Sequence, residues 1–161
     1  MDVRRVGLES VWDYPRPPAA VPSDEHVVVR LGGLVIADTR SAIRVLETSH
    51  PPTYYLPPDA FSHGALVRGA GSSWCEFKGQ AAYLTVVGGD GRREEQAAWT
   101  YPVPSPRYTA LRGYVALYPG RMDRVTVDGE QVVAQEGGFY GGWITSRVVG
   151  PFKGGPGTSG W

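Results

Sequence analysis

Glycines around a lysine and a Thr-Ser pair are the ingredients of a phosphate cradle, and residues 150–161, GPFKGGPGTSGW, bring them together. The spacing refuses that chemistry. A phosphate loop needs G-x-x-x-x-G-K-[S/T] between a strand and a helix, so that successive backbone N–H groups aim at phosphate oxygens. Here Lys153 precedes the glycine pair, and Pro156 removes one of the N–H donors. GGFYGGW at 137–143 also fails as a dinucleotide fingerprint, with no apolar strand before it and no helical pattern after it.

Metal and nucleophile chemistry find little footing. The ligand pool is His26, His50, His63 and Cys75. The last three are 13 and 12 residues apart, unlike the short paired spacings of structural zinc. We expect no metal and no cofactor. Cys75 lies in WCEFKG between Trp74 and Phe77, which reads as a buried structural thiol rather than a nucleophile. There is no G-x-S-x-G elbow, and no Asp-x-Asp pair that could hold the metal ions of nucleotidyl transfer. Asp38 and Glu47 stand alone, while Glu94-Glu95 follows GDGRR in what reads as a solvated turn.

Two features stand out against this blank. Lys78 and Lys153 are the only lysines among 16 basic residues, and both sit in a Phe-Lys-Gly triplet. In a chain with the arginine bias of a GC-rich bacterial genome, two retained lysines point to positions that need a compact ammonium rather than a planar fork. The second feature is aromatic: five Trp and nine Tyr, many beside Gly or Pro in YYLPP, WTYPVP, GFYGGW and SGW. Rings held in this way, with a few convergent polar groups, make small-molecule pockets.

The elements that must position these residues are strands. With 22 Gly and 14 Pro in 161 residues, few windows could carry a long helix. HVVVRL (26–31) and LVIADT (34–39) flank Gly32-Gly33 as a hairpin, and RVTVDGEQVVAQ (124–135) is a second hairpin about Asp128-Gly129. SAIRVLET (41–48), TYYL (53–56), AAYLTVVG (81–88), the stretch before WTYP (98–102), and YVALYP (114–119) are further strands. Tyr54 and Tyr55 must face opposite sides of theirs, and Trp99 and Tyr101 the same side. A short helix is expected only within PPDAFSHGALV (57–67). Residues 1–25 read as a proline-rich extended arm that buries Trp12. The 144–161 segment reads as a docked extension anchored by Phe152 and Trp161, with Lys153 near the pocket rim.

The whole, 1–161, is expected to be a single all-β domain. A formal net charge of zero predicts neither nucleic acid nor membrane as partner. One cysteine, no long apolar run and no apolar leader-like stretch at the start suit a cytoplasmic protein.

VWDYPRPP, GGLVIADT, VLETSHPPTYYLPP, CEFKG, WTYP and GFYGGWITSRVVGPFKGGPGTSGW, in that order, resemble the Domain of Unknown Function 427 family over nearly the whole chain. The resemblance implies small antiparallel sheets arranged in a β-tent-like way. The chain departs from the zinc-bearing β-tent pattern in having no CxxC pairs. The family pattern falls on Glu47, Tyr55, Lys78, Trp99 and Tyr101, and the C-terminal extension adds Trp143 and Lys153. The resemblance thus implies one site with a carboxylate, two ammonium groups and four rings, suited to a small polar or anionic ligand. Glu47 is equally readable as a partner that neutralises one lysine. Two functions remain open: a ligand-binding module, and an enzyme using Glu47 and a lysine of lowered pKa as acid and base.

Overall fold

The computed structural model describes residues 8–161. The first seven residues of the expected arm lie outside the described residues. In chain order the strands are β1 Glu9–Ser10, β2 Ala19–Pro22, β3 Val27–Leu31, β4 Leu34–Thr39, β5 Ile43–Leu46, β6 Thr53–Leu56, β7 Leu66–Cys75 and β8 Gly79–Val87. They continue with β9 Arg93–Thr100, β10 Val115–Leu117, β11 Arg124–Val127, β12 Glu130–Gln131, β13 Val133–Ala134, β14 Trp143–Ile144 and β15 Val148–Val149. Four short 3-10 segments interrupt them: Val11–Asp13, Pro58–Ala60, Pro106–Leu111 and Pro119–Arg121. The fold is all-β.

Both hairpins form where the turn residues dictate. Gly32 and Gly33 carry φ of 60° and 76°, and Asp128 and Gly129 carry 49° and 82°, the left-handed pairs that match the twist of two-residue turns. Three stretches differ from the sequence reading, the first being Glu94-Glu95, which lies within β9 rather than in a turn. Only Pro58–Ala60 of the 57–67 window is helical, because the prolines withhold N–H donors and Gly64 turns left-handed at φ 80°. The Gly- and Ser-rich RGAGSSW carries no strand signal, yet lies in β7, zipped to β8 across a register shift between Arg68 and Ser72.

Seven strands form one antiparallel sheet in the order β2-β5-β6-β10-β9-β8-β7, and four form another, β12-β11-β3-β4. The main core lies between them. Val27, Val29, Leu31, Ile36 and Val125 of the smaller sheet meet Tyr54, Leu56, Val86, Val115 and Leu117 of the larger. Strand alternation sends Tyr55 to the other face of the large sheet, where it joins Ile43, Val45, Trp99, Tyr101 and Ala116 in a second cluster.

Terminal segments clasp one another. β1 pairs in parallel with β15, Glu9 opposite Val148. Val11 and Tyr14 are buried with Val148, and Phe152 packs against them. Trp12 is not buried as expected; it is 44% exposed. Its indole N–H donates to the Pro151 carbonyl at 2.8 Å and its ring meets Trp161 edge-on at 5.2 Å. The arm follows the sheet edge rather than crossing its face, which puts Val11 inside and leaves Trp12 to cap the C-terminal segment. That segment is held further by the Lys153 backbone N–H donating to the Ser49 carbonyl at 2.8 Å.

Candidate functional site

One row of the large sheet carries the floor residues Tyr55, Trp99 and Tyr83. Ile43 pairs with Tyr55, Tyr55 with Ala116, Ala116 with Trp99, and Trp99 with Tyr83. Cross-strand partners share a face, so these side chains stand side by side on the outer surface of the sheet. Ala116 is the smallest of them and leaves room between the two large rings. The Trp99 indole N–H donates to the Tyr55 hydroxyl at 3.2 Å, which fixes both rings edge to face. Tyr101, two residues beyond Trp99, tilts against Tyr55 at 6.2 Å.

A cavity of about 340 Å³ opens above this floor. Glu47, Tyr55, Lys78, Trp99, Tyr101 and Lys153 all line it. Trp143 does not. It is wholly buried on the opposite side of the sheet, stacked on Tyr54 at 4.7 Å, with its indole N–H donating to the Leu117 carbonyl. The glycine pair before it reverses the chain, so Gly141 borders the cavity while Trp143 enters the main core.

Lys78 reaches the cavity from the turn between β7 and β8. Its ammonium lies 5.9 Å from the centre of the Tyr101 ring. Among the described residues no carboxylate is paired with it. Burial acts to lower its pKa, but the negative charges that Tyr55, Cys75 and Glu47 can carry act the other way and hold it above the ordinary lysine value. The ammonium is therefore charged at neutral pH. Burial raises the pKa of both Tyr55 and Tyr101, so each phenol keeps its proton and can donate it to an acceptor.

Glu47 is not a partner of either lysine. Its carboxylate takes a 3.2 Å ion pair from Arg16 of the arm, whose guanidinium also donates to the Thr48 carbonyl. The turn that follows is strained. Ser49 is fully buried with φ of 71°, its hydroxyl has no hydrogen-bond partner, and its backbone is pinned between Val11 and Lys153. That turn directs Glu47 and His50 to the same cavity.

Several lining residues carried no motif. His50 was considered only as a metal ligand, and nothing else in SHPP marked it. Its Nδ1 accepts from the Gln135 side-chain amide at 3.2 Å, and its ring meets Tyr140 edge-on at 5.1 Å. Burial lowers its pKa, with Lys153 adding to the effect and Glu47 opposing it, so the imidazole is neutral at neutral pH. Buried Gln135 is the hub of the wall: it also donates to the Lys153 carbonyl at 2.7 Å and accepts the Gly142 N–H at 3.1 Å. Cys75 is half-buried at the cavity, not enclosed in a core as the sequence suggested. Trp74 and Phe139, 74% and 71% exposed, stand at its edges.

Other clefts hold less chemistry. The larger groove at β2 and β5, about 640 Å³, is lined by Arg40, Arg44 and Arg147, of which Arg44 and Arg147 are committed to Glu9 and Glu25. Among the described residues no three His, Cys, Asp or Glu side chains are placed to hold a metal ion.

Among curated proteins no sequence matches this chain. A family model, the Domain of unknown function (DUF427), matches residues 19–128. The matched stretch carries the whole floor of the cavity together with Glu47, His50 and Lys78, while Gln135, Tyr140 and Lys153 lie beyond it. With more than half of its length matched, the chain belongs to the DUF427 family.

Proposed function

We propose that the protein is a small-molecule-binding module whose aromatic cavity takes a small organic anion. The observation that carries this reading is Lys78: a charged ammonium among rings, facing open space, with no carboxylate paired to it among the described residues. An ammonium in such a place is costly to desolvate unless something anionic joins it. The protonated hydroxyls of Tyr55 and Tyr101 add hydrogen-bond donors beside it, and the faces of Trp99 and Tyr118 offer a flat group a stacking surface.

The acid–base alternative has less support. It requires a lysine that gives up its proton near neutrality, whereas Lys78 is held in the opposite direction and Glu47 is engaged by Arg16. We further read the two sheets as β-tent-like, on the strength of the family resemblance and of a seven- and a four-stranded antiparallel sheet sharing one core. A cytoplasmic, bacterial setting is read from the single unpaired cysteine and the arginine-rich composition.

Native mass spectrometry of freshly purified protein, followed by titration with benzoate monitored by tryptophan fluorescence, tests the reading. Saturable binding that Lys78→Met weakens at least tenfold, with circular dichroism unchanged, supports it. Equal affinity in the wild type and Lys78→Met refutes it.

A further inference from the structure

The cavity has a neighbour. A second groove of about 460 Å³ shares Tyr83, Tyr118, Gln135 and Tyr140 with it and adds Gln96, Pro119, Gly120, Arg121, Ala134 and Gly138. Tyr83 and Tyr118 thus form a partition with a chamber on either side. The two chambers differ in chemistry. The first holds Lys78, Lys153 and the phenol donors. The second is walled by rings, Pro119, Gly120 and Ala134, with its one guanidinium, Arg121, already bonded to Glu94 at 2.9 Å and to the Glu95 carbonyl.

The partition is built to be weakly fastened. Tyr118 leans on Trp99 at 4.8 Å, and its hydroxyl reaches only the Phe139 carbonyl, at 3.3 Å. Phe139 directly follows two left-handed glycines, Gly137 and Gly138, at φ 103° and 62°. Opposite it, β9 is distorted. Gln96 has φ of 53° where β8 and β9 shift register, and its amide donates to the Ala70 carbonyl. A non-glycine residue in that conformation within a strand is strained, and such strain with a bulge re-aims side chains around sites.

We infer that the two chambers form one bipartite site for a monoanionic amphiphile: a carboxylate head at Lys78 and an apolar tail that crosses Tyr83 and Tyr118 into the second groove. This rests on the anion reading above. A single charge is favoured because Glu47 and Glu76 line the first chamber together with Lys78 and Lys153, and with Arg16 bonded to Glu47 about one positive charge is left unmatched there. An apolar tail is favoured because the second chamber offers it rings and aliphatic wall, while its polar side chains Gln96, Gln135 and Arg121 are already bonded to Ala70, to Lys153 and Gly142, and to Glu94.

The test is a series of 4-alkylbenzoates, from benzoate to 4-hexylbenzoate, titrated against the wild type, Ala134→Leu and Gly120→Val. Ala134 and Gly120 line only the second groove, and a Cβ at Gly120 would lie 3.4 Å from that of Ala134, an ordinary contact. In the wild type, affinity should climb about fourfold per methylene once the tail passes the partition. Either variant should bind benzoate as well as the wild type does and lose the climb. The two variants guard against one of them failing to fold. If benzoate binds but affinity stays flat along the series, or climbs equally in both variants, the bipartite site is refuted while the anion reading stands. If no member binds, the anion reading fails and takes this inference with it.

Discussion

Gly141 decides whether the floor of the cavity can exist. A Cβ added there would sit 3.1 and 3.2 Å from Cζ2 and Cζ3 of Trp99, and closer still to Cη2. Carbon atoms at rest stay about 3.5–4.0 Å apart, so Gly141→Ala must push the indole by on the order of 1 Å. The ring is nearly buried, hydrogen-bonded to Tyr55 and packed on Tyr118, so a shift toward the cavity it lines breaks these contacts. Overpacking costs about 1–3 kcal/mol, and a lost hydrogen bond about 0.5–1.5 kcal/mol more. Restricting the unfolded chain returns about 0.4–1 kcal/mol. The net expectation is a loss of about 1–3 kcal/mol, which lowers Tm by roughly 2–10 °C in a domain of this size. Near-UV circular dichroism and tryptophan fluorescence should change as the ring leaves its place, and benzoate binding should weaken. The double variant Gly141→Ala/Trp99→Phe removes the atoms that clash. It should be more stable than the sum of the two single effects by about 1 kcal/mol or more. A Gly141→Ala protein with wild-type Tm and an unchanged near-UV spectrum would show that the indole is not pinned where the geometry puts it.

Acidification should destabilise the fold through His50. Its folded pKa lies below the free imidazole value of 6.5, so the unfolded chain takes up this proton first. The stability it carries is complete above about pH 6.5 and is lost as pH falls below that, and His50→Gln should show a shallower fall of Tm between pH 6.5 and 5. Ser49→Ala should be neutral or stabilising by up to about 1 kcal/mol, since it removes a buried hydroxyl with no partner; a clear destabilisation in urea titration would mean that the hydroxyl holds an ordered water. Truncation after Val149 removes Phe152, the Trp12–Trp161 contact and the Lys153 bonds to Ser49 and Gln135. It should cost about 2–3 kcal/mol in thermal unfolding, and a full-length Tm in the truncated protein would refute the docking.

The strands were legible wherever side chains alternate or a turn has its own chemistry, as in HVVVRLGGLVIADT and about Asp128-Gly129. The opposite facing of Tyr54 and Tyr55 followed from strand period alone. β7 was not legible, because RGAGSSW pairs through its backbone and owes its extended form to β8 rather than to its own side chains. At the site, the five residues of the family pattern and Lys153 of the C-terminal extension line one cavity, while Trp143 of the same extension does not. A tryptophan after two glycines looks like a pocket wall, but the direction in which a Gly-Gly turn leaves its next side chain is set by what packs on either side of it. Gln135 was invisible for a related reason: it matters through contacts made across the chain, to residues 50, 142 and 153, and no local spacing encodes those.

The floor row Ile43, Tyr55, Ala116, Trp99 and Tyr83 has a kinetic meaning as well. Three of its four pairs join strands that follow one another in the chain, but Tyr55 meets Ala116, and through it Trp99, only when β6 pairs with the distant β10. Such non-local pairing is slow to form, because loop-closure entropy is lost before the contacts repay it. A chain that lacks the Tyr55–Ala116 pairing therefore has no complete binding site to offer. A ligand of this cavity recognises only the finished protein, so it leaves the folding rate unchanged and slows unfolding alone, in proportion to how far its concentration exceeds its dissociation constant.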